Sequence, residues 1–276
     1  MLTPDVSRRN HAIEVADRVN IEEYKIFNAF IQENDISASD TAQKIVNLTK
    51  AALQANEQDE RVLGWQLEST GNGFLEAGVR ASPAQQKKLI TVLEELQKTT
   101  LSDPKTGEVV RYWEMEVWAD LPMIGFAFGN EMNSFDPNDT TSWPDDIARW
   151  EPLTTLAAQI MAVPAIKLDF FRWTWAPAAL RDVFRSYVEP GLPTELAVRA
   201  ACLWFIYAGE VLWEQTRKGE FTVLEDGEDE VKKNLKQWSD WKENLRSLRD
   251  SATDARTREL LVEALTAMER AEEKKD

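Results

Sequence analysis

Three side chains in this sequence pair an acid or a phenol with nearby indole rings, and they are its best candidates for chemistry. Glu210 lies in the apolar run 203–213, LWFIYAGEVLW, where Tyr207 and Trp213 are about one helical turn away on either side. A carboxyl group among apolar rings is costly unless it is paired or reaches a cavity. We therefore predict Glu210, Asp120 and Tyr207 as catalytic residues, with a carboxyl of raised pKa as the proton donor or acceptor. The alternative for Glu210 is an ion pair with an arginine of a neighbouring helix.

Aromatic residues are concentrated in the run DFFRWTWAPAAL (169–180), and the whole chain contains eleven tryptophans. Such rings either fill a core or form the wall of a cavity for an apolar guest. Arginines interleave with them and could anchor a polar end of that guest. We predict a cavity of roughly 300–1,000 Å³. Its substrate-binding residues would be Trp118, Phe128, Phe171, Arg172, Trp173, Trp175, Arg181, Trp204 and Trp213.

The residue inventory excludes most familiar catalytic sites. His11 is the only histidine and Cys202 the only cysteine, so Ser–His–Asp triads, Cys–His pairs and zinc sites are not expected. Neither GxGxxG nor GxxxxGK[ST] occurs, which argues against nucleotide cofactors. Without a basic neighbour, Cys202 is predicted to be an inert core residue. The remaining carboxylates, arginines and rings suit cofactor-independent cyclisation or isomerisation of an apolar substrate.

Two acidic segments imitate the metal-binding spacing of class I terpene cyclases, in which carboxylates bind Mg²⁺. The prolines around the first segment predict a loop, whereas the motif requires a continuous helix. Solvated acidic loops are therefore the plainer interpretation. Mg²⁺ is expected only if the chain is a terpene cyclase. The candidate ligands are Asn138, Ser142 and Asp146 in one segment, and Asp226 and Asp229 in the other.

Composition limits the partners and the compartment. The net charge of −16 over 276 residues disfavours binding to nucleic acid or to anionic membrane surfaces. The N-terminal residues show no apolar segment of a secretory signal. The most apolar stretch, 200–209, contains ten uncharged residues, which are too few to span a bilayer. The single cysteine suits a reducing compartment, so we expect a cytoplasmic protein.

The pattern of caps and apolar spacings predicts an all-α fold in a single domain covering residues 1–276, with mobile residues at both ends. A helix at about 193–217 is apolar on nearly every side, which predicts a central position in a bundle. At most one short extended hairpin is expected, near 108–118. Pro177 predicts a break at Trp175–Ala176. The other predicted helices cover about 37–53, 82–98, 121–133, 150–163, 166–175, 177–188, 229–250 and 253–273, and GNG (71–73) is interpreted as a turn or kink.

The segment LKQWSDWKENLRSLRD repeats apolar residues at three- and four-residue steps, at Leu235, Trp238, Trp241, Leu245 and Leu248. This spacing predicts a helix face packed on the core. If the face were exposed, it would form a partner surface, and a homodimer through Trp238 and Trp241 is the alternative that we retain.

Several stretches resemble a fungal family that is known as a domain of unknown function. They are WADLPMIG, RWEPLTTLAAQIMA, APAALRDVF, LWFIYAGEVLW, QWSDWKENLRSL and TRELLVEALTAME, spread over roughly residues 40–270. The resemblance implies a wholly helical, cytoplasmic fungal protein, with some relatives encoded beside natural-product genes. It rests on apolar and aromatic spacings and brings no catalytic residues with it.

Two functions emerge from these observations as hypotheses. The first is a cofactor-independent cyclase or isomerase of fungal secondary metabolism that acts on an apolar polyene or terpenoid-like substrate. The second is a non-catalytic helical module that binds a protein or carries a small molecule. A magnesium-dependent, noncanonical terpene cyclase is a further alternative.

Overall fold

A computed structural model of the chain describes residues 13–55, 61–139, 144–168, 171–184, 193–220 and 230–274, with the side chains of residues 172, 173 and 182 left out. The described residues are mostly helical, with one two-stranded hairpin, which confirms the predicted all-α class. Contacts divide the chain into two compact units, the first Met1–Ser134 with Ala165–Lys167 and the second Phe135–Pro164 with Leu168–Asp276. The prediction of a single domain over residues 1–276 stays a prediction.

The first unit is a bundle of helices that pack through apolar faces. Phe27 and Phe74 meet edge to face at its centre, with ring centroids 5.6 Å apart. Helical residues 13–17 and a 3₁₀ turn, Arg18–Asn20, precede the main helices. These helices are α1 (Glu22–Gln32), α2 (Ala38–Ala55), α3 (Arg61–Val79), α4 (Pro83–Gln97) and α5 (Pro122–Asn133).

The start of α4 forms as the sequence predicts. The hydroxyl of Ser82 accepts a hydrogen bond from the backbone N–H of Gln85, and the Gln85 side chain accepts one from the backbone N–H of Ser82. This capping box satisfies two helix-end donors, and Pro83 fits the first helical turn because its missing N–H is not needed there.

The glycines of GNG lie inside α3, so the prediction of a turn at 71–73 is wrong. A Cβ atom at Gly71 would overlap the carbonyl oxygen of Met123 in α5. A Cβ atom at Gly73 would lie 2.7 Å from the backbone nitrogen of Tyr24 in α1. Both glycines therefore allow close packing between helices, which outweighs their low helix propensity.

The predicted hairpin is present as β1 (Arg111–Tyr112) and β2 (Met115–Glu116), paired antiparallel with Tyr112 opposite Met115. Its two-residue turn, Trp113–Glu114, has positive φ angles of 50° and 64°. Left-handed conformations at both central positions match the twist of a tight hairpin, although these residues adopt them less readily than glycine.

The second unit is built around one long apolar helix. Its helices are α6 (Pro144–Met161), α7 (Ala176–Phe184), α8 (Glu195–Lys218), α9 (Glu230–Ser251) and α10 (Ala255–Glu273). Helices α6, α7, α9 and α10 all pack against α8, which confirms its predicted central position. Among the described residues, α8 is long and apolar enough to cross a membrane, but most of it is buried inside the unit, as in core helices of soluble proteins.

Prolines shape two helix starts in this unit. The break predicted before Pro177 appears as a change from a π-helical turn, Phe171–Trp175, to the α-helix that begins at Ala176. Pro144 lies at the first position of α6, so this helix begins six residues earlier than the predicted start at 150. A proline costs little there, since the first helical N–H groups have no intrahelical partner.

Two buried carboxylates of the first unit have different partners. Glu131 is 5% exposed and forms an ion pair of 2.8 Å with Arg18. Glu23 is 7% exposed and accepts a hydrogen bond of 3.3 Å from Gln66. Burial raises the pKa of the Glu23 carboxyl, and the neighbouring Glu22 charge raises this pKa further, while hydrogen bonds from Gln66 and the backbone lower it in part.

We expect Gly71→Ala to destabilise the first unit, because the new methyl group collides with the backbone of α5 rather than with a movable side chain. Overpacking of this kind costs about 1–3 kcal/mol. Gly129→Ala is the matched control, since a Cβ atom there meets nothing within 4 Å, and alanine improves helix propensity by up to about 1 kcal/mol. Urea unfolding followed by circular dichroism should show opposite shifts, and equal midpoints would contradict the close packing.

We expect Glu23→Gln to stabilise the protein at neutral pH. A raised pKa in the folded state means that the contribution of Glu23 to stability is present at low pH and is lost as pH rises through the folded-state value. The gain over wild type should therefore shrink as pH falls from about 8 to about 5. The control is Glu68→Gln, because Glu68 is an exposed acid of α3 in the same unit. Thermal unfolding across this range decides the point, and a gain that grows toward acid pH would contradict it.

Candidate functional site

Helices α8 and α10 lie side by side and run in the same direction. Near their starts, Arg199 of α8 donates a hydrogen bond of 3.5 Å to Asp254, which caps α10. Near the other end, Lys274 donates one of 2.6 Å to Glu210. Because the two contacts occur in the same order along both helices, residues 207–211 of α8 face the last two turns of α10.

Between these helices lies an open pocket of about 250 Å³, which we call the α8–α10 pocket. Small residues form its floor: a Cβ atom at Gly209 would lie 3.8 Å from the carbonyl oxygen of Ala267. Apolar side chains from α8, including Ile206 and Val211, form part of its wall. The pocket is smaller than sites for drug-sized ligands, which occupy roughly 300–1,000 Å³, so it suits a small molecule.

Three polar side chains line the α8–α10 pocket: Tyr207, Glu210 and Arg270. Glu210 is 54% exposed and its charge is compensated by Lys274. Within the part of the chain that the structure describes, the guanidinium of Arg270 has no carboxylate at ion-pair distance. Among the described residues, Arg270 is therefore a cation of the pocket without an ion-pair partner, in a strongly acidic protein.

Tyr207 is partly buried at the edge of the pocket. Burial raises the pKa of its phenol, and the negative charge of Glu263 raises this pKa further, while Arg256 opposes the effect. The phenol therefore keeps its proton over a wider pH range than a free tyrosine, and it remains a hydrogen-bond donor.

The predicted catalytic residues lie in two different places. Tyr207 and Glu210 line one pocket, as their spacing on a helix suggests. The expectation of a buried carboxylate at Glu210 is wrong, because this residue faces the exposed side of α8 and pairs with a lysine rather than with an arginine. Asp120 belongs to the first unit, where its carboxylate accepts a hydrogen bond of 2.7 Å from the backbone N–H of Glu116 and secures the end of the hairpin.

Four of the predicted substrate-binding rings are core residues of their own units. Trp118 and Phe128 are 3% and 0% exposed in the first unit, and Phe171 and Trp204 are 0% exposed in the second. None of these rings lies in the wall of the α8–α10 pocket or of a second pocket, which belongs to the first unit. The indole N–H groups of Trp118 and Trp204 have no hydrogen-bond partner among the described residues.

The other predicted binding residues follow the same trend where they are described. Trp213 packs its ring 5.2 Å from that of Trp238, while Trp175 and Arg181 are partly exposed and lie outside the lining of both pockets. The side chains of Arg172 and Trp173 lie outside the described residues. The predicted aromatic cavity of roughly 300–1,000 Å³ stays a prediction.

Five rings of the second unit, those of Phe184, Phe205, Trp213, Trp238 and Trp241, pack against one another. Phe205 of α8 lies 5.6 Å from Trp238, 5.9 Å from Trp241 and 6.4 Å from Phe184. Trp238 and Trp241 are 2% and 3% exposed, so this face of α9 is packed on the core, as its apolar spacing predicted. These two rings are therefore not available to a second copy in the way that the predicted homodimer requires, and the oligomeric state stays a prediction.

The acidic segments do not assemble a metal site among the described residues, where no group of three or more acidic, histidine or cysteine side chains is placed to hold an ion. The Asn138 side chain instead accepts a hydrogen bond of 3.1 Å from the backbone N–H of Thr194. Asp146 is exposed in the first turn of α6. Ser142, Asp226 and Asp229 lie outside the described residues.

The pocket of the first unit has a volume of about 370 Å³. Its lining surface is about equally polar and apolar, with Asp17, Glu68 and Asn72 among its residues and Ile21 as its large apolar side chain. Its cationic group, Arg18, is already paired with Glu131. The α8–α10 pocket differs in that its arginine, Arg270, has no acidic partner among the described residues.

Sequence reasoning missed Arg270 and Lys274, which lie in the charged tail of α10. Their type gave no signal, since basic residues are common in the last turn of a helix, where they compensate its dipole.

Cys202 is fully buried as predicted, and burial raises the pKa of its thiol.

Comparison with known proteins gives one match. A family model described as "Protein of unknown function (DUF3632)" matches residues 72–245, which is more than half of the chain. The searches of curated proteins and of solved structures found no match. The matched residues include the α8 side of the pocket, whereas Ala267, Arg270 and Lys274 lie beyond them.

We expect Tyr207 to ionise at higher pH than a free tyrosine. The measurement is an alkaline titration followed by tyrosinate absorbance. Tyr207→Phe should remove a component that ionises late. Glu263→Gln should shift that component to lower pH, because it removes a neighbouring negative charge. Glu269→Gln serves as the control for an exposed acid on the same helix. A titration curve that Glu263→Gln leaves unchanged would contradict the arrangement of α8 and α10.

Proposed function

The chain belongs to the DUF3632 family of proteins of unknown function, and on that premise we propose that it is a small-molecule-binding protein whose ligand occupies the α8–α10 pocket. The observation that carries the proposal is the combination of aliphatic side chains, Ile206 and Val211, with Arg270, a cation that no described side chain neutralises. Ligand sites in proteins combine apolar surface with a few polar groups.

The local structure supports binding more than chemistry. Glu210 is exposed and paired with Lys274, whereas a catalytic carboxyl group is expected in an enclosed, apolar environment. Cyclisation of a polyene also requires enclosure by rings and exclusion of water, whereas the α8–α10 pocket is open and its described lining has two rings, those of Phe205 and Tyr207.

A cofactor-independent isomerase or cyclase is the second candidate function. It is favoured by one observation, the presence of two predicted catalytic side chains, Tyr207 and Glu210, in the same pocket. In that case Glu210 acts as a base and Tyr207 as a proton donor toward a small bound substrate. Glu210→Gln should then abolish turnover while leaving substrate binding in place, which separates this candidate from a binding protein.

The wider setting remains part of the proposal. We place the protein in the cytoplasm, in fungal secondary metabolism, with an apolar small molecule as its partner and without a cofactor or nucleic acid. The anionic composition supports the exclusion of nucleic acid.

We expect small molecules to bind wild-type protein and to lose binding when the pocket is filled. The probes are hexanoate, hexylamine and hexan-1-ol, which share one chain and differ in head group. Val211→Trp places a large ring in the pocket from a partly exposed position, and Val262→Trp adds the same ring at an exposed position of α10 outside the lining.

Calorimetry and ligand-observed NMR should detect binding of at least one probe to wild type and to Val262→Trp, and roughly tenfold weaker binding or none to Val211→Trp. Circular dichroism checks that both variants are folded. The proposal fails if none of the probes binds, or if Val211→Trp binds them as wild type does.

A further inference from the structure

We infer that the ligand of the α8–α10 pocket is a small carboxylic acid with a short apolar chain, and that Arg270 binds its carboxylate. This inference rests on the proposed function and adds the chemical class of the ligand. It depends on the charges around the pocket, on the level of each polar group along the two helices, and on the nature of the wall.

The charges of the pocket leave a single cation uncompensated among the residues that the structure describes. Glu210 and Lys274 neutralise each other across 2.6 Å. Arg270 lines the pocket, and within the described ranges it has no acidic partner. Because a planar guanidinium can donate two parallel hydrogen bonds to a carboxylate, an unpaired arginine beside aliphatic side chains suits that group.

The parallel arrangement orders the polar groups along the two helices. Arg270 lies one turn before Lys274 on α10, and Lys274 meets Glu210, so Arg270 lies beside that ion pair in the same pocket. Tyr207 also lines the pocket, but the charges that act on its phenol are those of Glu263 and Arg256, which lie two turns or more before Arg270 on α10. Arg270 is therefore the group assigned to the carboxylate.

The wall of the pocket selects the chain attached to the carboxylate. Ile206, Val211 and Ala267 offer aliphatic surface, and burying each methylene of a chain contributes about 0.8 kcal/mol. A volume of about 250 Å³ limits the chain to a short one. A phosphate dianion suits the site less well, because it would meet one guanidinium close to the partly negative C-terminal end of α10.

The test compares head groups on one chain with variants of the anchor. Hexanoate should bind wild type more tightly than hexan-1-ol does, and hexylamine should bind most weakly. Arg270→Gln should weaken hexanoate binding about 10-fold to 100-fold, as expected for loss of a charge-assisted contact, and should leave hexan-1-ol binding unchanged. Arg270→Lys should restore part of the affinity, because it keeps the charge but loses the paired geometry.

Arg249→Gln is the matched control, because it removes an exposed arginine of α9 that lies outside the pocket lining and pairs with its own neighbour, Asp250. Hexanoate affinity should not change in this variant. Thermal unfolding without ligand tests whether Arg270 only compensates the helix dipole. In that case Arg270→Gln is less stable than wild type but still binds hexanoate more tightly than hexan-1-ol. This result would overturn the inference.

Glu210→Gln gives a result of opposite sign. Removing this carboxylate frees Lys274 and eliminates a negative charge beside the ligand, so hexanoate should bind several-fold more tightly, with no change for hexan-1-ol. Weaker or unchanged hexanoate binding in this variant would overturn the assignment.

Failure of the inference can be told apart from failure of the proposed function. If the three probes bind equally and Val211→Trp prevents their binding, the pocket is a ligand site and the carboxylate class is wrong. If none of the probes binds to wild type, both the site and the class are wrong.

Discussion

The burial of α8 is the constraint on which the second unit depends. An α-helix that is apolar on nearly every side must be covered on nearly every side, and α6, α7, α9 and α10 supply that cover. The exposed strip that remains carries Glu210. Where α10 passes beside it, the two backbones approach closely, since a Cβ atom at Gly209 would lie 3.8 Å from the carbonyl oxygen of Ala267, and the α8–α10 pocket lies at this contact. The site is thus a consequence of how a core helix is covered.

The aromatic residues serve this same requirement. The rings of Phe184, Phe205, Trp213, Trp238 and Trp241 interlock at centroid distances between 5.2 and 6.4 Å. Offset and edge-to-face contacts of this kind add to the free energy of burial. The tryptophans of α8 and α9 therefore contribute to the packing of these two helices. The N–H group of Trp238 donates to Glu272, so this buried indole is also hydrogen-bonded.

Local signals in the sequence predicted most of the helices, although not α1 or α3, and they predicted the packing less well. Caps and prolines located α4, and the apolar run located α8, because these signals act within one helix. The glycines of α3 were misinterpreted, since only the neighbouring backbones of α1 and α5 explain why side chains are absent at Gly71 and Gly73. Half of the candidate site was also predictable: helical spacing brings Tyr207 and Glu210 to one face. The other half, Arg270, depends on the parallel pairing of α8 with α10, which no pattern within a single helix encodes.

A crystal structure of the protein grown with hexanoate tests the central claim most directly. Our account predicts hexanoate in the α8–α10 pocket, with its carboxylate within hydrogen-bond distance of the Arg270 guanidinium and its chain against Ile206 and Val211, while Glu210 stays paired with Lys274. A hexanoate bound elsewhere, or bound in this pocket with its carboxylate turned away from Arg270 toward solvent, would contradict it.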